Sequence, residues 1–207
     1  MFSFLFKAKE KQKKSNRAIF GTMLAFGIVG LIASFVLAVE EFHLLKNPDA
    51  ILSCSFNLVL NCAIVMKTWQ ATVFGFPNMF VGLIGFPIVI TIALLGLSNV
   101  KFPRWFLIGA EIGIAFWTLF AYWLFFNSVY AIQVLCPWCL VVTFSMTILL
   151  ATITRYNVMH DTFDIPKKAN KQLKQLFEKD FDKLFVASWI VLLIMLVIIK
   201  FGDSLVA

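Results

Sequence analysis

Five apolar runs, each long enough or nearly long enough to cross a bilayer, restrict this chain more than any other feature. They extend from Ala18 to Val39, Met79 to Leu97, Trp105 to Phe126, Leu135 to Ile153 and Val186 to Ile199. A helix rises about 1.5 Å per residue, so a span takes about 20 apolar residues. The fifth run is short, but an amphipathic stretch leads into it. Of 207 residues 61% are hydrophobic and 14% charged, with a mean hydropathy of +0.90, whereas soluble domains carry roughly a quarter charged residues. The expected fold is an all-α membrane protein, a four-helix transmembrane bundle with a fifth transmembrane helix.

Positive charge sets the expected orientation. With the N-terminus in the cytoplasm, all of the 18 Lys and Arg residues except Lys46, Lys67 and Lys200 fall on the cytoplasmic side, as the positive-inside rule requires. The net charge of +7 then reads as topology and attraction to anionic lipid, with no nucleic-acid partner. The leader "KAKEKQKKSNR" resembles that of a signal peptide, but the apolar stretch exceeds an ordinary h-region and no A-x-A site follows. A retained anchor is the better reading. The chain divides into a basic cytoplasmic leader (1–17), a four-helix core (18–155) with an outer loop (40–77), a basic amphipathic segment (156–185), and the fifth helix with a short outer tail (186–207).

This topology puts all four cysteines, Cys54, Cys62, Cys136 and Cys139, on the outer side, where disulfide chemistry is at home. Cys136 opens the fourth helix in "CPWC", with Pro137 where a missing N–H is harmless. A thiolate at a helix N-terminus is stabilised by unpaired amides and the helix dipole, and Cys139 falls on the same face within disulfide reach. Cys54 and Cys62 are spaced more widely, on a loop. Static staples, a four-thiolate zinc site and a redox relay all remain open on these residues. Zinc is disfavoured by the wide gap, because zinc knuckles use short spacings in both halves.

Taken in order, C-x7-C (Cys54, Cys62), then "KTWQATVFGFPNMFVG" with Gly75-Phe76-Pro77-Asn78 and Gly82, then "CPWC" opening the fourth helix, the sequence resembles the vitamin K epoxide reductase family, especially its bacterial members. The resemblance covers about residues 18–155. The other quinone-linked disulfide oxidase family of bacterial periplasms carries the two cysteine pairs in the reverse order. The resemblance implies a bundle around a quinone (menaquinone or ubiquinone) in a bacterial plasma membrane. It also implies a relay in which Cys54 meets a soluble thiol partner, Cys62 passes electrons to Cys136, and Cys139 stands nearest the quinone. Asn78 matches the family's asparagine that hydrogen-bonds a quinone carbonyl, although Asn before an apolar run is also a good N-cap. Animal members have a tyrosine where this chain has Thr143, a shorter hydroxyl for the same task. Thr68 keeps a hydroxyl where relatives often have serine, or it braces the loop helix.

Many bacterial relatives carry a thioredoxin-like domain after the fifth helix. The chain's last residue is Ala207, so the expected partner is a separate thioredoxin-like thiol oxidant on the outer side. The expected function is thiol–quinone oxidoreduction driving disulfide formation in exported proteins. The alternatives are an animal-type quinone and epoxide reductase and a non-enzymatic protein with structural disulfides. Phe80, Trp138 and the phenylalanine-rich third run are candidates to line the quinone pocket. Glu111 is expected to snorkel or to pair with Arg104, Pro87 to kink the second helix, and Leu173, Phe177, Phe181 and Leu184 to lie on the cytoplasmic leaflet. Topology reporters inserted beside each cysteine pair should both read as extracytoplasmic, and a cytoplasmic reading for either pair would break the relay.

Overall fold

Lipid offers no water to an unpaired N–H or C=O, so apolar runs of this length cross it as helices. A computed structural model of the protein describes residues 2–48, 51–57, 59–163 and 166–206. The side chains of Lys7, Lys9, Lys11, Lys167 and Lys168, which the topology counts, lie outside those described. The helices are α1 (Phe2–Lys46), α2 (Cys62–Met66), α3 (Met79–Leu97), α4 (Arg104–Asn127), α5 (Pro137–Met159), α6 (Lys167–Glu178) and α7 (Phe181–Val206). Five segments, Lys13–Lys46, Met79–Leu97, Arg104–Ile132 (α4 with the π-helical turn Ser128–Ile132 that follows it), Pro137–Met159 and Phe181–Gly202, are long and apolar enough to span. The protein is an all-α integral membrane protein.

Two boundaries differ from the pattern read in the sequence. The first apolar run occupies the middle of a 45-residue helix, because the Lys, Glu, Gln and Ala of the leader are themselves strong helix formers. The amphipathic stretch is cut in two. Asp180 adopts a left-handed conformation (φ 57°), which Asp tolerates better than most residues. Phe181 and Leu184 consequently belong to α7. The second spanning helix, α3, continues through Pro87.

Helix α1 packs against α3 and α5, and α4 against α5. Phe20 and Met23 of α1, Phe86 and Ala93 of α3, Ile114 of α4, and Leu149 and Ile153 of α5 share one core. The α1–α3 contact depends on Gly30, where a Cβ would run into the buried Phe86 ring. Away from this core, apolar side chains such as Leu119 and Ile199 are exposed, as suits a lipid-facing surface.

Helices α6 and α7 are tied to the bundle by polar contacts. Asp161 accepts from Asn170 Nδ2 at 2.5 Å and from Lys174 Nζ at 2.6 Å. Arg155 reaches Asp182 at 2.7 Å and Asp180 at 2.9 Å. Trp189 Nε1 donates to the Tyr122 hydroxyl at 2.8 Å.

Overpacking a core contact typically costs about 1–3 kcal/mol. Gly30→Ala should therefore lower the midpoint of denaturation in detergent by a corresponding amount. Gly21→Ala, where a Cβ meets open space, should leave it unchanged or slightly raised.

Candidate active site

Cys136 stands as the N-cap of α5 in an extended conformation, with Pro137 behind it, and its sulfur accepts the Cys139 N–H at 3.3 Å. The approach to this cap is tightly shaped. Ser128–Ile132 forms a π-helical turn, a device frequent at functional sites. Gln133 follows in the left-handed region (φ 57°), and the Ser128 hydroxyl donates to the Val134 carbonyl. Leu135 then pairs with the outer loop: its N–H donates to Val59 O at 2.7 Å, and its carbonyl accepts Asn61 N–H at 3.0 Å.

That pairing brings the second cysteine pair alongside. Asn61 caps α2, its Oδ1 accepting Ile64 N–H at 3.2 Å and the Ser55 hydroxyl at 3.0 Å. Cys62, the first residue of α2, is joined by a disulfide to Cys54, with the Cα atoms 5.7 Å apart. The Cys136 sulfur donates to the Cys62 sulfur at 3.3 Å. These three cysteines are almost wholly buried, Cys54 at 1% exposure, Cys62 at 0% and Cys136 at 1%, in a cluster with Leu37, Leu44, Leu52 and Met66. Cys136 and Cys139 are free thiols. The Cys139 thiol, helped by the backbone N–H groups of Cys139 and Trp138, holds the Cys136 thiol below its ordinary pKa, against burial, which pushes it up.

Beside the cysteines lies a cavity of about 390 Å³ lined by residues of α1 to α5. Cys136, Cys139, Leu140 and Thr143 all line it, because their spacing of three, four and seven residues puts them on one helical face. Trp138 lies off that face. It is not among the lining residues and packs instead on the cysteine cluster. Phe80 is not among them either, being exposed. Trp117, Phe120 and Phe125 of α4 supply the aromatic wall.

The polar groups in this wall are few. Asn78 lines it and donates from Nδ2 to Gln70 O at 2.6 Å, leaving its buried Oδ1 without a partner. Its side chain does not cap α3: N-caps are typically extended, and Asn78 has helical angles (φ −60°, ψ −24°). Thr143 donates to Cys139 O at 2.9 Å, and Thr68 to Val65 O at 2.7 Å. Thr68 therefore both braces the end of α2 and lines the cavity. An apolar chamber of this size fits a flat ring; the second Nδ2 hydrogen of Asn78 is a donor for a ring carbonyl, and its unpartnered Oδ1 an acceptor for a ring hydroxyl.

Glu111 is not part of this site. Thr154 and Asn157 of α5 bond its carboxyl at 2.5 and 2.6 Å, roughly 22 Å along α5 from Cys139. Arg104, its expected partner, donates to Thr162 O at 2.6 Å.

Sequence reading missed Ser34 and Gln70, both of which line the cavity. It also missed Glu40, whose carboxylate accepts from the N–H and hydroxyl of Ser53, next to Cys54. The available signal was a polar side chain inside or beside an apolar run.

The sequence model of the vitamin K epoxide reductase family matches residues 22–154. No curated protein and no solved structure matches.

The Cys136 thiol can be titrated with Cys54 and Cys62 both replaced by Ala. Its thiolate absorbance should appear below the ordinary thiol range near ~8.5, so more thiolate is present at a given pH. Adding Cys139→Ala should move the titration upward, because it removes the thiol donor.

Proposed function

This chain belongs to the vitamin K epoxide reductase family, and we propose that it carries electron pairs from the thiols of a separate thioredoxin-like protein to a membrane quinone, menaquinone or ubiquinone. The exchange takes place at the outer face of a bacterial plasma membrane, with the N-terminus in the cytoplasm, and drives disulfide formation in exported proteins. Members of the family are oxidoreductases of membranes. The observation that carries the finer reading is the 3.3 Å contact between the Cys136 sulfur and a sulfur of the Cys54–Cys62 disulfide.

Thiol–disulfide exchange proceeds by attack of a thiolate on a disulfide sulfur. A partner thiolate attacks Cys54 and breaks the loop disulfide. The partner's second thiolate then releases Cys54, so the partner leaves as a disulfide and the loop as two thiols. Cys62 next attacks Cys136 of a Cys136–Cys139 disulfide, and Cys139 departs as a thiolate. Cys54 attacks Cys62, which re-forms the loop disulfide and frees Cys136. Two electrons have then moved from loop to helix, and the two protons given up by the loop thiols are balanced by the two taken up at Cys136 and Cys139. A bonded Cys54–Cys62 pair beside free Cys136 and Cys139 is the state this sequence ends in. The depressed pKa of Cys136 makes it the better leaving group in the last step.

Cys54 is buried in that state, so the loop must open before a partner can reach it. Among the described residues, the stretch leading to Cys54 is held by Ser53 on Glu40 and by Lys67 Nζ on Pro48 O at 2.6 Å. Inward transfer and partner exchange therefore alternate.

A quinone in the cavity supplies a two-electron, two-proton acceptor. Asn78 would hold one ring oxygen and Cys139 would stand at the reacting face, while the apolar walls exclude water. Thr143 fixes the Cys139 turn through its bond to the Cys139 carbonyl.

In lipid vesicles, Cys139→Ala should reduce dithiol-driven quinone reduction to background while leaving the loop disulfide able to exchange with a thioredoxin-like protein. Unchanged turnover would refute the assignment. Turnover of a vitamin K epoxide by the unaltered protein would favour the animal-type activity.

A further inference from the structure

Almost every hydroxyl proton in the cavity wall is already committed. Thr68, Ser128 and Thr143 donate to the carbonyls of Val65, Val134 and Cys139. Ser34 is the exception. It lies in α1, is 2% exposed and lines the cavity, and its hydroxyl bonds to none of the described residues. A serine or threonine in an apolar helix ordinarily donates to the carbonyl four residues back. Thr22 does so in the same helix, reaching Ala18 O at 3.0 Å. The Ser34 proton is thus free to be offered to whatever fills the cavity.

The neighbour of Ser34 across the α1–α3 contact is Gly82. A Cβ at Gly82 would collide with the Ser34 Oγ, so the glycine makes room for this hydroxyl against the first turn of α3. Asn78 lies four residues earlier, about 6 Å along the helix. Ser34 and Asn78 therefore meet the cavity about one helical turn apart.

We propose that Ser34 is a quinone-binding residue whose hydroxyl donates to the ring oxygen opposite the one held by Asn78. When the ring is reduced, the same hydroxyl accepts the O–H formed there. The inference rests on the reading that this cavity takes a quinone. It supplies from α1 the contact that Thr143 does not offer, the Thr143 proton being spent on Cys139 O. Gln70 also lines the cavity, but its carbonyl is the acceptor for Asn78 Nδ2, which places it at the Asn78 end.

The test is an infrared spectrum of the full chain in lipid discs with a short-chain benzoquinone, isotope-labelled at one ring carbonyl or the other. In the unaltered protein both carbonyl bands should lie below their free positions. Ser34→Ala should return one band to its free position, leave the other in place, and weaken quinone binding about five- to tenfold, the loss of one ordinary hydrogen bond. Asn78→Ala should release the opposite band. Unchanged bands and affinity in Ser34→Ala would overturn the proposal, as would release of the same band by Gln70→Leu. If Ser34→Ala does not accumulate, Ser34→Gly and Gly82→Ala, which displaces the hydroxyl, give the same decision. An unaltered protein that binds no quinone overturns both this proposal and the reading beneath it.

Discussion

A separation of 3.3 Å between the sulfurs of Cys62 and Cys136 has to be maintained by parts of the chain 74 residues apart. Three local devices meet to hold it. Asn61 caps α2 and fixes the direction of Cys62. The bridge between Leu60 and Leu135 sets the loop against the start of α5. The π-helical turn and the left-handed Gln133 aim the chain into the Cys136 cap. Any one of these alone leaves the sulfurs free to drift. Together they place a thiol against a disulfide in a dry cluster, where competing thiols are excluded and a thiolate depends on the few N–H and S–H donors nearby.

The same dryness governs the cavity. In a low-dielectric interior each polar group counts for more than it does in water, favourable if paired and unfavourable if not. Among the described residues of the cavity wall, the Thr68, Ser128 and Thr143 hydroxyls are committed to backbone carbonyls, while Asn78 Oδ1 and the Ser34 hydroxyl are left open. The cysteines and the open polar groups lie at this end. At the far end Glu111 is absorbed into bonds with Thr154 and Asn157 that tie α4 to α5, and Arg155 fastens α7 to the bundle through Asp182. The fifth helix touches the core along one line, with Leu193 and Phe201 buried, and most of its other apolar side chains are exposed.

Much of the fold was legible because bilayer thickness converts directly into residue count. The CPWC start of α5 was legible too, since Pro137 can open a helix but rarely continue one. Trp138 packs on the cysteine cluster and not on the cavity wall, and the spacing of Cys136, Cys139 and Thr143 already put it off their common face. The capping reading of Asn78 fails for a different reason. Its backbone angles and its bond to Gln70 O depend on how the loop folds back, and no local pattern encodes that. The break at Asp180 was hidden because the charged and apolar residues on its two sides continue a single helical periodicity.

Hydropathy, helix propensity and cysteine order are properties of neighbouring residues, so the chain alone determined the helical spans, the helix-capping cysteine pair and the family. Tertiary structure decided which sulfurs touch, that Cys54 is covered, which hydroxyl protons are spent, and that Ser34 faces a cavity across from Gly82. Those outcomes depend on packing between helices and loops far apart in sequence, where a shift of one turn exchanges one neighbour for another.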